Sequence, residues 1–378
     1  MKGVVMIRRM LAAALLALSL VLFPPQQSFG SDPPVFHIET VVAGDGDTPL
    51  LTLDNAGRPW IGYWEQGGGY EGTMHFAVRE AGGWTFETVP LPTRTPESIV
   101  VDASGSPAAG FSDGLLLQYL YKSGGVWATQ SVGGFGPNAS ALAISGTNTP
   151  FAAFVWSYHY FGYVTLSQRI GDTWDVQCQY GEMGWFNPIS AAIDLAIDGN
   201  GKTHICVNPI YLQFYYIGSS LETLPENFGN FAIAADSQGR PVISYTNKGM
   251  LKTATRDPGG LGTWELSDIT VVDGCTKTDI ALDANSLPHI ACSHRPDGVP
   301  KIFYAYRTIP IDQWAIREIA GGRAASIAVD SDGHVHLAYK VQVDDPPGWD
   351  IIYATTDVST PVGEKSWGAM KGLRESKP

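Results

Sequence analysis

The sequence predicts an all-β, seven-bladed β-propeller closed by an N-terminal outer strand. Three observations carry this expectation: one four-strand pattern recurs seven times, its recurrences keep a blade-sized spacing, and the first strand-like segment repeats an outer-strand triplet without a blade of its own. At 378 residues, with hydrophobic residues at 44%, charged residues at 16%, 43 Gly and 25 Pro, the chain suits many short strands separated by turns. Closed β architectures hold this many residues in one domain.

Residues 1–30 form a separate unit. Lys2, Arg8 and Arg9 precede an apolar run from Met10 to Phe23, and Ser28-Phe29-Gly30 supplies small residues at a cleavage site. This reads as a secretory signal peptide, because the run is shorter than the roughly 20 residues a spanning helix needs. The mature chain is therefore expected to be secreted or periplasmic and not inserted in a membrane. Its removal takes the net charge of −13 three units further negative, which excludes nucleic acid as a partner, since phosphate binding needs a basic face.

The propeller is expected over residues 31–360. Each repeat has an apolar strand, a tight turn and a second strand, then a third, and in most repeats a Gly-rich turn leads to Trp. The turns begin at Asp54, Asp102, Ser145, Asp198, Asp236, Asp283 and Asp330, 276 residues from first to last, a mean step of 46. Such a step fits a four-stranded blade. Each turn ends on Gly57, Gly105, Asn148, Gly201, Gly239, Ser286 or Gly333, the residue types that best tolerate positive φ, with Ser286 the poor fit. The anchor carboxylate is expected to accept N–H groups of its own turn.

Before each anchor stands a large apolar residue: Leu51, Ile99, Leu142, Leu195, Ile233, Ile280 or Ile327. The next column is mostly Ala and faces the other way. The second strand pairs a small column (Gly62, Gly110, Ala153, Cys206, Ser244, Ala291, Ala338) with an aromatic-rich one (Tyr63, Phe111, Phe154, Val207, Tyr245, Cys292, Tyr339). Outer strands carry Trp84, Trp127, Trp174, Trp264 and Trp314; the fourth repeat is short and has none.

Residues 36–41, Phe-His-Ile-Glu-Thr-Val, end in the triplet found at Glu87, Thr88 and Val89. The last repeat supplies three strands, near 324–330, 335–341 and 349–356, so 36–41 is expected to complete it and remove an open edge. Residues 361–378 read as a polar tail.

His204, His289 and His336 share one column in different repeats. Metal ligands must converge on a point, so packing is the favoured reading. Asp330 and Asp332 stand close, but one or two acids per turn fall short of what calcium takes. No metal and no cofactor is expected. Four cysteines in an exported chain allow two disulfides, with Cys275–Cys292 the pair best placed; simple packing of Cys206 and Cys292 in their columns is the competing account.

At the level of repeat pattern, the mature sequence resembles the secreted seven-bladed propellers of the sialidase-like, BNR-repeat superfamily. The superfamily's Asp-box is matched by Ser167-Gln-Arg-Ile-Gly-Asp-Thr-Trp174, except that Arg169 stands in place of the aspartate. The other repeats keep only Gly and Trp. The resemblance implies the fold; the sialidase arginine triad, Tyr-Glu pair and acid have no matching set here, so no catalytic role is carried over.

Alternating strand direction puts the first-to-second and third-to-fourth turns on one face, and the second-to-third and inter-blade connections on the other. The second set varies, which is where binding chemistry sits. It carries acids early (Asp45, Asp47, Glu65, Glu97, Asp113, with Arg94 beside them) and bases late (Lys248, Lys277, His294, Arg295, Arg323, Lys340). Aromatics include Trp64, Trp156, Tyr158, Tyr160, Phe161, Trp185, Phe186, Tyr211 and Trp349. Rings beside cations suit an acidic sugar, although most exposed loop charges are merely solvated.

The leading expectation is a monomeric binding module for a polysaccharide or cell-surface glycan. A carbohydrate-active enzyme is the alternative: a lyase using His294 or a Tyr with Arg295, Arg323 or Lys277, or a glycosidase using Glu65, Glu97 or Asp113. A protein-interaction scaffold is the third reading.

Overall fold

In a computed structural model, the described residues are 34–357 without 45, 68–71, 92, 135, 138, 159–160, 181–190, 209–213, 218–219, 227, 259–261, 296–297, 309–312 and 345–346. The signal-peptide and polar-tail expectations lie outside them. The chain forms seven four-stranded antiparallel sheets. In blades 1 to 6 the four strands follow one another in sequence, as in blade 1: Asp47–Leu53, Pro59–Gln66, Gly72–Glu80 and Gly83–Thr88. Blade 7 takes three strands from the C-terminal region, Arg323–Val329, Val335–Asp344 and Pro347–Thr355, and its outer strand, His37–Val42, from the N-terminal end. His37 opposes Thr355 and Glu39 opposes Tyr353, so the ring closes as the sequence predicts. Glu39 also takes Arg79 Nε at 3.0 Å and Trp84 Nε1–H at 2.9 Å, which ties the closing strand to blade 1.

The columns acquire a physical meaning in the packing. In most blades the small column of the second strand lies opposite a large residue on the third strand: Gly62 faces Phe76, Gly110 faces Tyr119, Cys206 faces Tyr215, Ala291 faces Tyr304 and Ala338 faces Tyr353, whereas in blade 5 Ser244 faces Thr253. The same small positions seat the next blade's inner strand. A Cβ on Gly62 would stand 2.8 Å from Ile99 Cγ2, and one on Gly110 would stand 3.2 Å from Leu142 Cγ. Close packing at these seams therefore forbids side-chain growth.

Each inner strand has one unpaired edge, and side chains of the preceding blade satisfy part of it. Leu142 N–H reaches Ser98 Oγ, Ile233 N–H reaches Asp194 Oδ2, Ile327 N–H reaches Asp279 Oδ2 and Leu51 N–H reaches Ser326 Oγ, all within 2.8–3.2 Å. Buried N–H groups left alone would be costly.

All seven anchor turns share one geometry. Gly57, Gly105, Asn148, Gly201, Gly239, Ser286 and Gly333 all have positive φ, between 61° and 86°. Each anchor aspartate accepts two N–H groups, as Asp198 does from Asn200 at 2.8 Å and Lys202 at 2.9 Å. The histidine column extends this device inward. His204 Nδ1 meets Tyr215 Oη at 2.6 Å and its Nε2 meets Asp198 Oδ2 at 3.2 Å; His289 and His336 repeat the tyrosine contact at 2.6 and 2.5 Å. The three histidines thus pin separate blades. Cys275 and Cys292 are disulfide-bonded, whereas Cys206 is a free, buried thiol and Cys178 a free, half-buried one.

Candidate functional site: the variable-loop mouth between blades 6, 7 and 1

Three sets of candidates separate once their partners are known. On blade 7, Arg323 and Lys340 are register partners at the start of the inner strand and late in the second strand. Both reach the Trp349 ring, the Arg323 guanidinium at 5.5 Å and the Lys340 ammonium at 4.5 Å from its centroid. Cations at these distances are drawn to the ring's negative face. Lys340 also forms an ion pair with Asp47 of blade 1. Arg323 has no carboxylate partner among the described residues, and its Nε is buried without a hydrogen bond.

Blade 6 brings His294, Arg295 and Lys277 to the same side. Ser293 Oγ accepts the Ala325 N–H at 3.2 Å, so the end of Pro288–His294 lies against the start of Arg323–Val329. His294 is 7% exposed, sits edge-on to Phe303 at 5.1 Å, and buries an unpartnered Nδ1. Gly274, at φ 92°, makes its room: a Cβ there would stand 3.3 Å from His294 Cε1. Arg295 is exposed and turns back, donating Nε–H to Gly298 O at 3.0 Å. Lys277 is exposed yet close enough to favour ionisation of Asp194 and Asp279.

Sequence reasoning missed those two aspartates. Asp194 and Asp279 belong to inner strands of blades 4 and 6. Burial pushes the Asp194 carboxyl up to about 7; hydrogen bonds from Ile233 and Leu195 N–H oppose the rise, and Asp279 adds to it. Burial raises Asp279 as well. The signal available in the sequence was an acid one step before the large apolar column, where most repeats have Leu, Ser or Ala.

The early acids do not join this group. Glu65 pairs with His75 Nε2 at 3.1 Å, and the His75 ring stacks on Tyr63. Glu97 is half-buried and bound by Ser140 Oγ–H at 2.5 Å; desolvation raises its carboxyl, with the Ser140 bonds opposing. Asp113 accepts Leu115 and Leu116 N–H and Gln118 Nε2–H, so it serves its own turn, and the Arg94 charge lies near it. Each carboxylate is held by a different partner, whereas two-carboxylate hydrolysis needs both groups on one bond.

Among the described residues, the aromatic candidates are engaged by their neighbours. Trp64 is 7% exposed, because Gly72 lets its ring fold against the chain. Trp156 stacks on Tyr163 at 4.6 Å and donates Nε1–H to Thr165 Oγ1. Trp349 gives its ring to two cations. Tyr158 lies in the strand Pro150–Tyr158, with its side chain outside the described set. Asp45, Tyr160, Trp185, Phe186 and Tyr211 also lie outside the described residues.

No family model matches the sequence, and no curated protein matches it. Solved structures do. The chain is similar to a PL25 ulvan lyase bound to -[GlcA(1-4)Rha3S]-, with TM-score 0.57 and 10% identity over 83% of this chain and 95% of that one. It is similar to the polysaccharide lyase Uly1, with TM-score 0.54 and 8% identity over 88% and 94% of the two chains. A likeness to NanB sialidase from Streptococcus pneumoniae has TM-score 0.47 at 10% identity, over 87% of this chain and 71% of that one. At these identities the likeness is one of fold.

Proposed function

We propose that the chain is an acidic-glycan-binding propeller whose site is the mouth between blades 6, 7 and 1. The observation that carries this reading is Arg323: a cation held against Trp349, beside Lys340, with no carboxylate of its own among the described residues. The planar guanidinium suits bidentate pairing with a uronate or sulfate group. Trp349 then works as a rail that holds cations, not as a sugar-stacking platform.

The test is affinity electrophoresis of the mature protein against uronate-containing, sulfated and neutral polysaccharides. Retardation by acidic polymers alone, weakened by salt and by Arg323→Ala, is expected. Equal retardation by neutral polymers, or an Arg323→Ala variant that binds as the parent does, overturns it.

A second reading, β-elimination, draws on His294 and on the polysaccharide lyases among the structural neighbours. In it, Arg323 or Lys277 pairs with the uronate carboxylate and a base such as His294 takes the C5 proton. The C4–O bond then breaks as a C4–C5 double bond forms, and the departing oxygen takes up a proton. A gain in ultraviolet absorbance from unsaturated chain ends supports it; binding without any gain leaves the module reading alone.

A further inference from the structure

Six of the seven seams between blades hold an aromatic ring at one equivalent position. Trp84 of blade 1 stands edge-on to Tyr353 of blade 7 at 5.1 Å, and Trp127 of blade 2 stacks on Phe76 of blade 1 at 5.3 Å. Trp174 of blade 3 meets Tyr119 of blade 2 at 5.2 Å, and Trp264 of blade 5 meets Tyr215 of blade 4 at 4.9 Å. Trp314 of blade 6 donates Nε1–H to Ser267 Oγ of blade 5 at 3.2 Å. Phe36, just ahead of the closing strand, meets Tyr304 of blade 6 at 5.3 Å. A ring from each outer strand, or its approach, thus covers the preceding blade.

Among the described residues, the outer strand of blade 4 puts no ring at this position, although Tyr216 of its third strand meets Tyr180 of blade 3 at 4.0 Å elsewhere in the seam. The outer strand of blade 4, Ser220–Thr223, reads Ser-Leu-Glu-Thr. Across the seam, Leu166 occupies the step that Phe76 and Tyr119 take in blades 1 and 2, opposite the small residue Ala153. A cavity of about 390 Å³ opens there, its walls including Phe151, Leu166, Gln168, Cys178, Lys202 and Thr203.

We propose that this cleft is a binding site for a small planar aromatic molecule, which takes the place an indole or phenyl ring fills at the other six seams. Its size falls in the range of ligand pockets, roughly 300–1,000 Å³. Leu166 and Phe151 give it an apolar floor against which the face of a ring can pack. Gln168, Thr203 and Lys202 at the rim offer donors to a polar ring substituent, so orientation comes from the edge and affinity from the floor. The cleft and the mouth between blades 6, 7 and 1 are built from different blades, so either assignment stands without the other.

Cys178 provides the readout, because it lines the cleft as a free, half-buried thiol while the other free thiol, Cys206, is fully buried. Indole is the probe and iodoacetamide the alkylating reagent. Indole at about ten times its Kd is expected to slow Cys178 alkylation about tenfold, with saturation. Gln168→Trp, which fills the cleft from the blade 3 side, is expected to be slow already and insensitive to indole. Unchanged alkylation up to the solubility limit of indole overturns the proposal, as does equal protection in a folded Gln168→Trp. Should that variant not fold, intermolecular NOEs from indole to Leu166 and Phe151 in the parent protein decide the matter, and their absence overturns it.

Discussion

The two faces of the ring are built on opposite rules. On the short-turn face, seven anchors repeat one geometry, positive φ at the last position included, and each anchor aspartate bonds the N–H groups of its own turn, while Asn148 Oδ1 accepts the Ala103 N–H of the preceding blade. On the variable face hardly any contact recurs: Arg323 and Lys340 share Trp349 in blade 7, His294 sits behind Gly274 in blade 6, and Asp113 folds back on its own turn in blade 2. Repetition marks what every blade needs in order to pack. Departure from it marks what one place does.

Substitution puts that contrast at risk most directly. Asp198→Ala removes the acceptor for two N–H groups and for His204 Nε2 on the uniform face, and is expected to cost about 2–4 kcal/mol in denaturant unfolding without altering glycan retardation. Arg323→Ala on the other face is expected to cost about 1 kcal/mol or less, from its lost packing on Trp349, while weakening retardation. The opposite pattern in this pair would erase the distinction between the faces.

The carboxylates sharpen it through pH. Burial raises the anchor acids Asp54, Asp236, Asp283 and Asp330, but hydrogen bonds from their turns and neighbouring side chains outweigh it and leave all four below the ordinary range. Their contribution is present above the unfolded value of 3.8 and is lost as pH falls through the folded values. Asp194 has the reverse sign: with its carboxyl at about 7, its contribution is complete below 3.8 and lost as pH rises through 7. Asp194→Asn is therefore expected to raise the melting temperature at pH 8 relative to the parent and to narrow that gain toward pH 4. A gain that is equal at both pH values would show that the titration of Asp194 is not the cause.

The smallest expected effect tests the turn rule itself. Ser286 is the anchor-turn terminus that is neither Gly nor Asn, and it sits at φ 63°. Ser286→Gly is expected to stabilise by about 1 kcal/mol by relieving the left-handed conformation, measured by chemical denaturation. Destabilisation instead would mean that the Ser286 side chain contributes more than its backbone strain costs.

Blade number and turn geometry were legible in the sequence because each rests on a pattern stated seven times. Closure needed only the match of Glu39-Thr40-Val41 to an outer-strand triplet. The histidine column was readable for the same reason, since one residue type recurs at one position, and each histidine proves to be held by the tyrosine of its own blade. The mouth was partly legible: Arg323, Lys340 and His294 do neighbour one another's strands, but which cation lacks a carboxylate depends on Asp47 reaching across the ring closure. Trp64 reads as a platform until Gly72 shows that the ring can lie flat. Asp194 and Asp279 went unnoticed because their role, accepting an N–H from the next blade, joins residues 39 and 48 positions apart. Such a link leaves no local mark.

The pairing of His37 with Thr355 also sets an order of events. The segment synthesised ahead of the rest of the ring must wait, without a partner, until the final strands of the ring have been made. Joining ends so distant in the chain is the slow kind of contact, and a waiting strand is an invitation to mispairing. Ring completion is accordingly the step at which a pause in synthesis or a missing chaperone would be felt first.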